Sequence, residues 1–92
     1  MMKVQQPETK EHVTIYATVW CSFCQDLVGG LKANNTPFEA WDVEKREDLA
    51  QWVESVNNGY RIVPTVLYSD GTYATNPSVA EVEAKYAELS GK

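Results

Sequence analysis

The sequence predicts an α/β domain in which a four-stranded mixed sheet is flanked by three helices, in the order β-α-β-α-β-β-α. Three observations predict it. Short runs rich in β-branched and aromatic residues alternate with segments whose apolar residues recur at i, i+3, i+4 and i+7, the patterns of buried strands and of one-faced helices. An Asp-Gly pair separates the last two strand-like runs, the signal of a hairpin. The 92 residues leave room for one modest hydrophobic core and no second domain.

Residues 1–11 are polar and include Pro7, and read as a flexible N-terminal tail ahead of a single domain spanning residues 12–92. "HVTIYAT", from His12, reads as the first strand and runs directly into two cysteines. From Ser22 to Asn35, Cys24, Leu27, Val28 and Leu31 share one helical face. Gly29 and Gly30 interrupt this helix at about 1 kcal/mol each relative to Ala, with no local feature that explains them. "FEAWDV", Phe38 to Val43, is the second strand, with Trp41 and Val43 on one face.

After the charged "EKRED", Leu49, Trp52, Val53 and Val56 mark the second helix. "NNG", Asn57 to Gly59, stops it, because Asn and Gly tolerate the left-handed cap conformation. "RIVPTVLYSDGTYAT" reads as two strands around a turn at Ser69, Asp70 and Gly71, with Pro64 at the start of the first. Val79, Val82, Tyr86 and Leu89 give one face of the third helix. Asn76 or Ser78 is its N-cap, Pro77 suits its first position, and Ser78 and Glu81 are spaced as a capping box. Trp41, Trp52, Tyr68 and Tyr86, at periodic positions, are expected in the core. The helix between the first two strands makes them parallel, by a right-handed crossover.

The net charge of −5 and the scatter of the eight Lys and Arg residues leave no electrostatic footprint for nucleic acid. The first twelve residues lack the apolar run of a secretory signal, and no stretch approaches the roughly 20 apolar residues of a membrane span. A cytoplasmic protein with no membrane association is expected. In that reducing setting a permanent disulfide staple is disfavoured, and closely spaced cysteines point to catalysis or metal.

Cys21 and Cys24, in "TVWCSFCQ", are the only cysteines. Where a strand passes into a helix, unpaired amides and the positive end of the helix dipole face a sulfur at the first position and favour its thiolate. Cys21 is therefore the expected nucleophile, exposed to solvent. Cys24, one turn later and facing inward, is the expected resolving thiol, near enough to bond to Cys21 with little backbone movement. A zinc site needs four ligands, and the chain offers no second Cys pair and only His12, so no metal is expected. A cis peptide before Pro64 would turn the backbone groups of Val63 towards the cysteines, where they would pair with an incoming peptide as an added strand. Asp42 and Glu44 read as a solvated loop, and Trp20 as a cover for the sulfur beside it.

Taken in order, the first strand, "WCSFC", "VPT", the "SDG" hairpin and the terminal helix resemble the glutaredoxin branch of the thioredoxin fold, from about Val13 to Leu89. "TIYATVWCSFC", "SVNNGYRIVPTV" and "DGTYATNPS" are most similar to the mycoredoxins, actinobacterial glutaredoxin-like proteins that reduce mixed disulfides with mycothiol. The resemblance implies that Cys21 attacks a protein mixed disulfide, and that a second small thiol or Cys24 then regenerates it. It places the cis-proline at Pro64 and the substrate-pairing residue at Val63. It sets Trp20, Ser22, Phe23 and Arg61 around the thiol, and Thr75, Asn76 and Ser78 where the last helix offers amides to a ligand.

Several positions depart from the commoner pattern. Ser22 stands for the usual proline, Thr18 for a basic residue and Gln25 for a lysine, and Asp26, in the first helical turn, adds negative charge near the nucleophile and opposes its thiolate. Glutathione-using members carry Gly-Gly, a small residue and Asp before the last helix, where this chain has "TYATNPS"; mycothiol is thus implied as reducing co-substrate in preference to glutathione. Two alternatives remain: a general disulfide reductase or ribonucleotide-reductase electron donor fed by a thioredoxin reductase, and a dimeric [2Fe-2S] carrier, for which Ser22 is the sequence motive.

Overall fold

A computed structural model describes residues 4–91. Met1, Met2, Lys3 and Lys92, the outer ends of the predicted tail and domain, lie outside the described residues. The strands are β1 (Val13–Ala17), β2 (Glu39–Asp42), β3 (Thr65–Tyr68) and β4 (Tyr73–Thr75), and the helices α1 (Ser22–Ala33), α2 (Glu47–Val56) and α3 (Val79–Leu89). The sheet order is β2-β1-β3-β4. β1 is parallel to β2, with Ile15 opposite Ala40, and antiparallel to β3, with Ile15 opposite Val66. β3 and β4 form the expected antiparallel hairpin around Gly71, whose φ is +89°. Element order and strand directions are those predicted.

The two-residue period of the strands sorts the core into two layers. Val13, Ile15, Val66 and Tyr68 pack with Leu27 and Leu31 of α1 and Val82 of α3. Tyr16 and Leu67 face the other way, onto Val43 and onto Leu49, Ala50, Trp52 and Val53 of α2. Trp52 lies against the Tyr16 ring, centroids 5.4 Å apart. Residues 4–11 form no helix or strand, and Gln6 Nε2 donates to the Gly71 carbonyl at 3.0 Å. Among the described residues no helix is long and apolar enough to cross a membrane.

Three local expectations change. Trp41 is not core: on the edge strand β2 it is 36% exposed, covered by the Arg46 guanidinium 5.1 Å from its ring centroid. Tyr86 is only half-buried, packed against the edge of the α1/α3 layer. Pro77 is buried just ahead of the helix and not at its first position, because Ser78 is the N-cap and exchanges both capping-box hydrogen bonds with Glu81.

Gly30 gains a reason. A Cβ there would lie 2.6 Å from a methyl of Val79, so the absent side chain lets α1 and α3 approach, whereas nothing lies within 4 Å at Gly29. Gly29→Ala is expected to stabilise by about 0.5–1 kcal/mol through helix propensity. Gly30→Ala is expected to destabilise by about 1–2 kcal/mol, as in other overpacked contacts. Urea midpoints of the two variants check the opposite signs.

Candidate active site

Cys21 is the N-cap of α1, with φ −86° and ψ 112°. Its Sγ accepts a hydrogen bond from the Cys24 N–H at 3.1 Å, so a sulfur takes the place of the usual capping oxygen. The sulfur also lies 3.8 Å from the Val63 carbonyl, to which the thiol donates. The Val63–Pro64 peptide is cis, as anticipated, and its carbonyl side faces Cys21. Among the described residues the Val63 N–H donates to no protein acceptor.

The expected exposure of Cys21 is corrected: it is 5% exposed. Its sulfur turns back towards the helix amide and Val63 and sits in an open cleft of about 490 Å³ lined by Trp20, Ser22, Phe23, Arg61, Ile62 and Val63. A disulfide would reach this sulfur only by entering the cleft. Cys24, 2% exposed, is buried as predicted. Burial pushes its thiol up to about 12, and its side-chain hydrogen bond with Cys21 adds to the rise. At neutral pH Cys24 is a thiol, suited to a second step and not to the first attack.

The rim is apolar and held from behind. Trp20 is 68% and Phe23 63% exposed, with Val19, Tyr60 and Ile62 also exposed in the segments that carry the cleft. Trp20 Nε1 donates to Glu44 Oε2 at 3.2 Å, and Gln25 Nε2 donates to the Val19 carbonyl at 2.9 Å, so both ends of the loop before Cys21 are tied. Asp42 Oδ1 accepts the Glu44 N–H at 2.9 Å. The segment read as a solvated loop thus supports the aromatic wall. No local pattern signals a contact made 24 residues away.

Arg61 reaches the cleft, but its guanidinium is paired with Glu54 at 3.0 Å and Glu47 at 3.1 Å. Asn76 and Ser78 line a neighbouring hollow with Phe23, Asp26 and Glu81. Their amides are not free: Asn76 N–H donates to the Pro64 carbonyl at 2.7 Å, and Ser78 N–H to Glu81 Oε1 at 3.2 Å. The Thr75 hydroxyl donates to Asn57 Oδ1 at 2.6 Å. This end of the domain closes on itself where the sequence suggested open donors. The expected place of Asp26 in the first helical turn is corrected: α1 begins at Ser22, and its first turn holds no acidic residue. Among the described residues no three or more His, Cys, Asp or Glu side chains are grouped to hold a metal ion.

The sequence model of the glutaredoxin family matches residues 13–73, from the first residue of β1 into β4, and so contains the cysteine pair, the cleft and the cis-proline together. The chain belongs to the glutaredoxin family. This glutaredoxin is 53% identical to Mycoredoxin 1 of Corynebacterium glutamicum over 79 residues, covering 86% of this chain and 98% of that one. It is 44% identical to a protein of Mycobacterium tuberculosis named as a glutaredoxin, covering 86% and 94%. Its fold matches the crystal structure of a glutaredoxin from Archaeoglobus fulgidus with a TM-score of 0.62 at 22% identity, covering 80% of this chain and 84% of that one. The glutaredoxin is accordingly a thiol-disulfide oxidoreductase, with the thioredoxin-like fold its element order predicts.

Proposed function

We propose that the enzyme reduces mixed disulfides between proteins and a low-molecular-weight thiol, with an uncharged thiol of the mycothiol type as its electron source. The observation that carries this reading is the unequal placement of two sulfurs, one capping α1 in an open cleft and one buried a turn behind it. Cys21, as thiolate, attacks the small-thiol sulfur of the mixed disulfide and releases the protein thiolate, which takes up a proton. A second small thiol then attacks the new mixed disulfide, leaving its own disulfide and the Cys21 thiolate. Alternatively Cys24 loses its proton and attacks Cys21, forming the Cys21–Cys24 disulfide and releasing the small thiol.

Charge supports the uncharged thiol. Arg61, the one cation among the cleft-lining residues, is paired with Glu47 and Glu54, and Glu44 stands behind Trp20. A thiol carrying carboxylates, such as glutathione, meets no unpaired positive charge there, whereas a sugar-bearing thiol presents apolar ring faces that suit Trp20 and Phe23. The similarity to Mycoredoxin 1 points the same way. A reducing cytoplasm is the fitting setting.

The test is mixed-disulfide reduction driven in parallel by mycothiol, by glutathione and by thioredoxin reductase. Mycothiol is expected to support turnover at least about tenfold better than glutathione, a difference of about 1.4 kcal/mol. Turnover with thioredoxin reductase alone would reassign the enzyme as a general disulfide reductase. Inactivity with all three would overturn the reading.

A further inference from the structure

Asn57 reads in the sequence as part of a helix stop. In the structure it is 8% exposed and makes hydrogen bonds in three directions. Its Nδ2 donates to the Val53 carbonyl at 2.8 Å and to Thr65 Oγ1 at 3.1 Å, and its Oδ1 accepts from the Thr75 hydroxyl at 2.6 Å. The Thr65 hydroxyl in turn donates to the Ile62 carbonyl at 2.7 Å. One amide therefore joins the last turn of α2, the first residue of β3 and the last residue of β4, and through Thr65 it reaches the loop before the cis-proline. Asn76 N–H to the Pro64 carbonyl, at 2.7 Å, closes the same end of the sheet.

Ile62, at the far end of the chain of hydrogen bonds, and Val63 beside it line the Cys21 cleft. The Val63 carbonyl sits 3.8 Å from the sulfur, and its N–H has no protein acceptor among the described residues. A planar amide with both donors and its acceptor engaged sets an angle as well as a distance. A purely apolar filler would occupy the space without fixing where the loop lies.

We propose that Asn57 is a positioning residue for protein substrates: through Thr65 it fixes the Ile62–Val63 backbone beside Cys21, so that an extended peptide pairs with Val63 while its disulfide meets Sγ. The inference rests on the mixed-disulfide reading above. It asks more of Asn57 than stability, because loss of the network should weaken recognition of a peptide more than recognition of a compound too small to pair as a strand.

The experiment compares two mixed disulfides carrying the same small thiol, one on a cysteine within a peptide of about eight residues and one on a single N- and C-blocked cysteine, which cannot extend along the Val63 edge. Asn57→Ala and Thr65→Val are assayed well below their unfolding temperatures. The expected result is a shift of about tenfold in the ratio of the two kcat/KM values against the peptide, carried mainly by KM. Thr65→Val keeps the side-chain shape and removes the one hydroxyl that accepts from Asn57 and donates to Ile62, so it should reproduce the shift, and it decides the matter if Asn57→Ala does not fold. An unchanged ratio in the folded variants, whether both rates fall together or neither falls, would overturn the role of Asn57. A wild-type enzyme inert towards both compounds would overturn the mixed-disulfide reading and this inference with it.

Discussion

Cys21→Ser is expected to abolish reduction of mixed disulfides, leaving the uncatalysed rate. Serine keeps the N-cap acceptor for the Cys24 N–H, so the fold has no reason to fail, but its hydroxyl is a far weaker nucleophile towards sulfur than a thiolate. Cys24→Ser should retain turnover through the small thiol, since the first attack does not use Cys24. Equal loss in both variants would mean that the Cys21–Cys24 disulfide is obligatory. Alkylation reads the same asymmetry: at pH 8 iodoacetamide should label Cys21 ahead of Cys24, whose thiol is pushed up to about 12 and is 2% exposed. The raised value has a consequence for stability. Between the ordinary cysteine value of 9.0 and about 12, the folded chain keeps a proton that the unfolded chain has lost, so stability falls as pH rises through that window. Tyr16, also pushed up to about 12, slopes in the same direction, so the Cys24 part is the difference between wild type and Cys24→Ser.

Trp52→Ala should cost about 3–5 kcal/mol of folding stability, the range for truncating a buried large aromatic. Trp52 is 2% exposed and is the largest side chain of the layer between α2 and the sheet. Its ring packs against Tyr16 and stands nearly perpendicular to Tyr73, with centroids 5.9 Å apart, so truncation leaves a void bounded by rigid rings that cannot collapse into it. Denaturant titration checks the value. A cost below about 1 kcal/mol would mean that the layer repacks freely, contrary to its close packing. Because α2 ends at the Asn57 junction, a loosened α2 should also reach the cleft wall, and Trp52→Phe, which keeps most of the volume, should show both effects in reduced form.

The parts of the site legible in the sequence were those set over short distances along the chain. Cys21 at the strand-to-helix passage and Cys24 one turn inside follow from the periodicity of "SFCQDLVGGL" alone. The Ser78–Glu81 capping box, the left-handed residues Asn58 and Gly59, and the Asp-Gly hairpin are equally local. Trp41 failed because a periodic position says which face a side chain takes, and not whether anything covers that face at the sheet edge. Glu44 read as a solvated charge although it holds Trp20, and Arg61, read as a residue beside the thiol, is paired with Glu47 and Glu54.

By itself the sequence determined the element order, the directions of the strands and the places of the two cysteines at the start of α1 and one turn inside it, because periodicity, turn chemistry and capping act between near neighbours. Only the tertiary structure decided that Cys21 lies within a cleft, that Gly30 admits Val79, and that Asn57 ties α2 to the cis-proline loop. Each depends on residues far apart in the chain, such as the 42 positions between Cys21 and Val63. No local pattern encodes such a meeting; the packing of helices on the sheet brings the partners within reach.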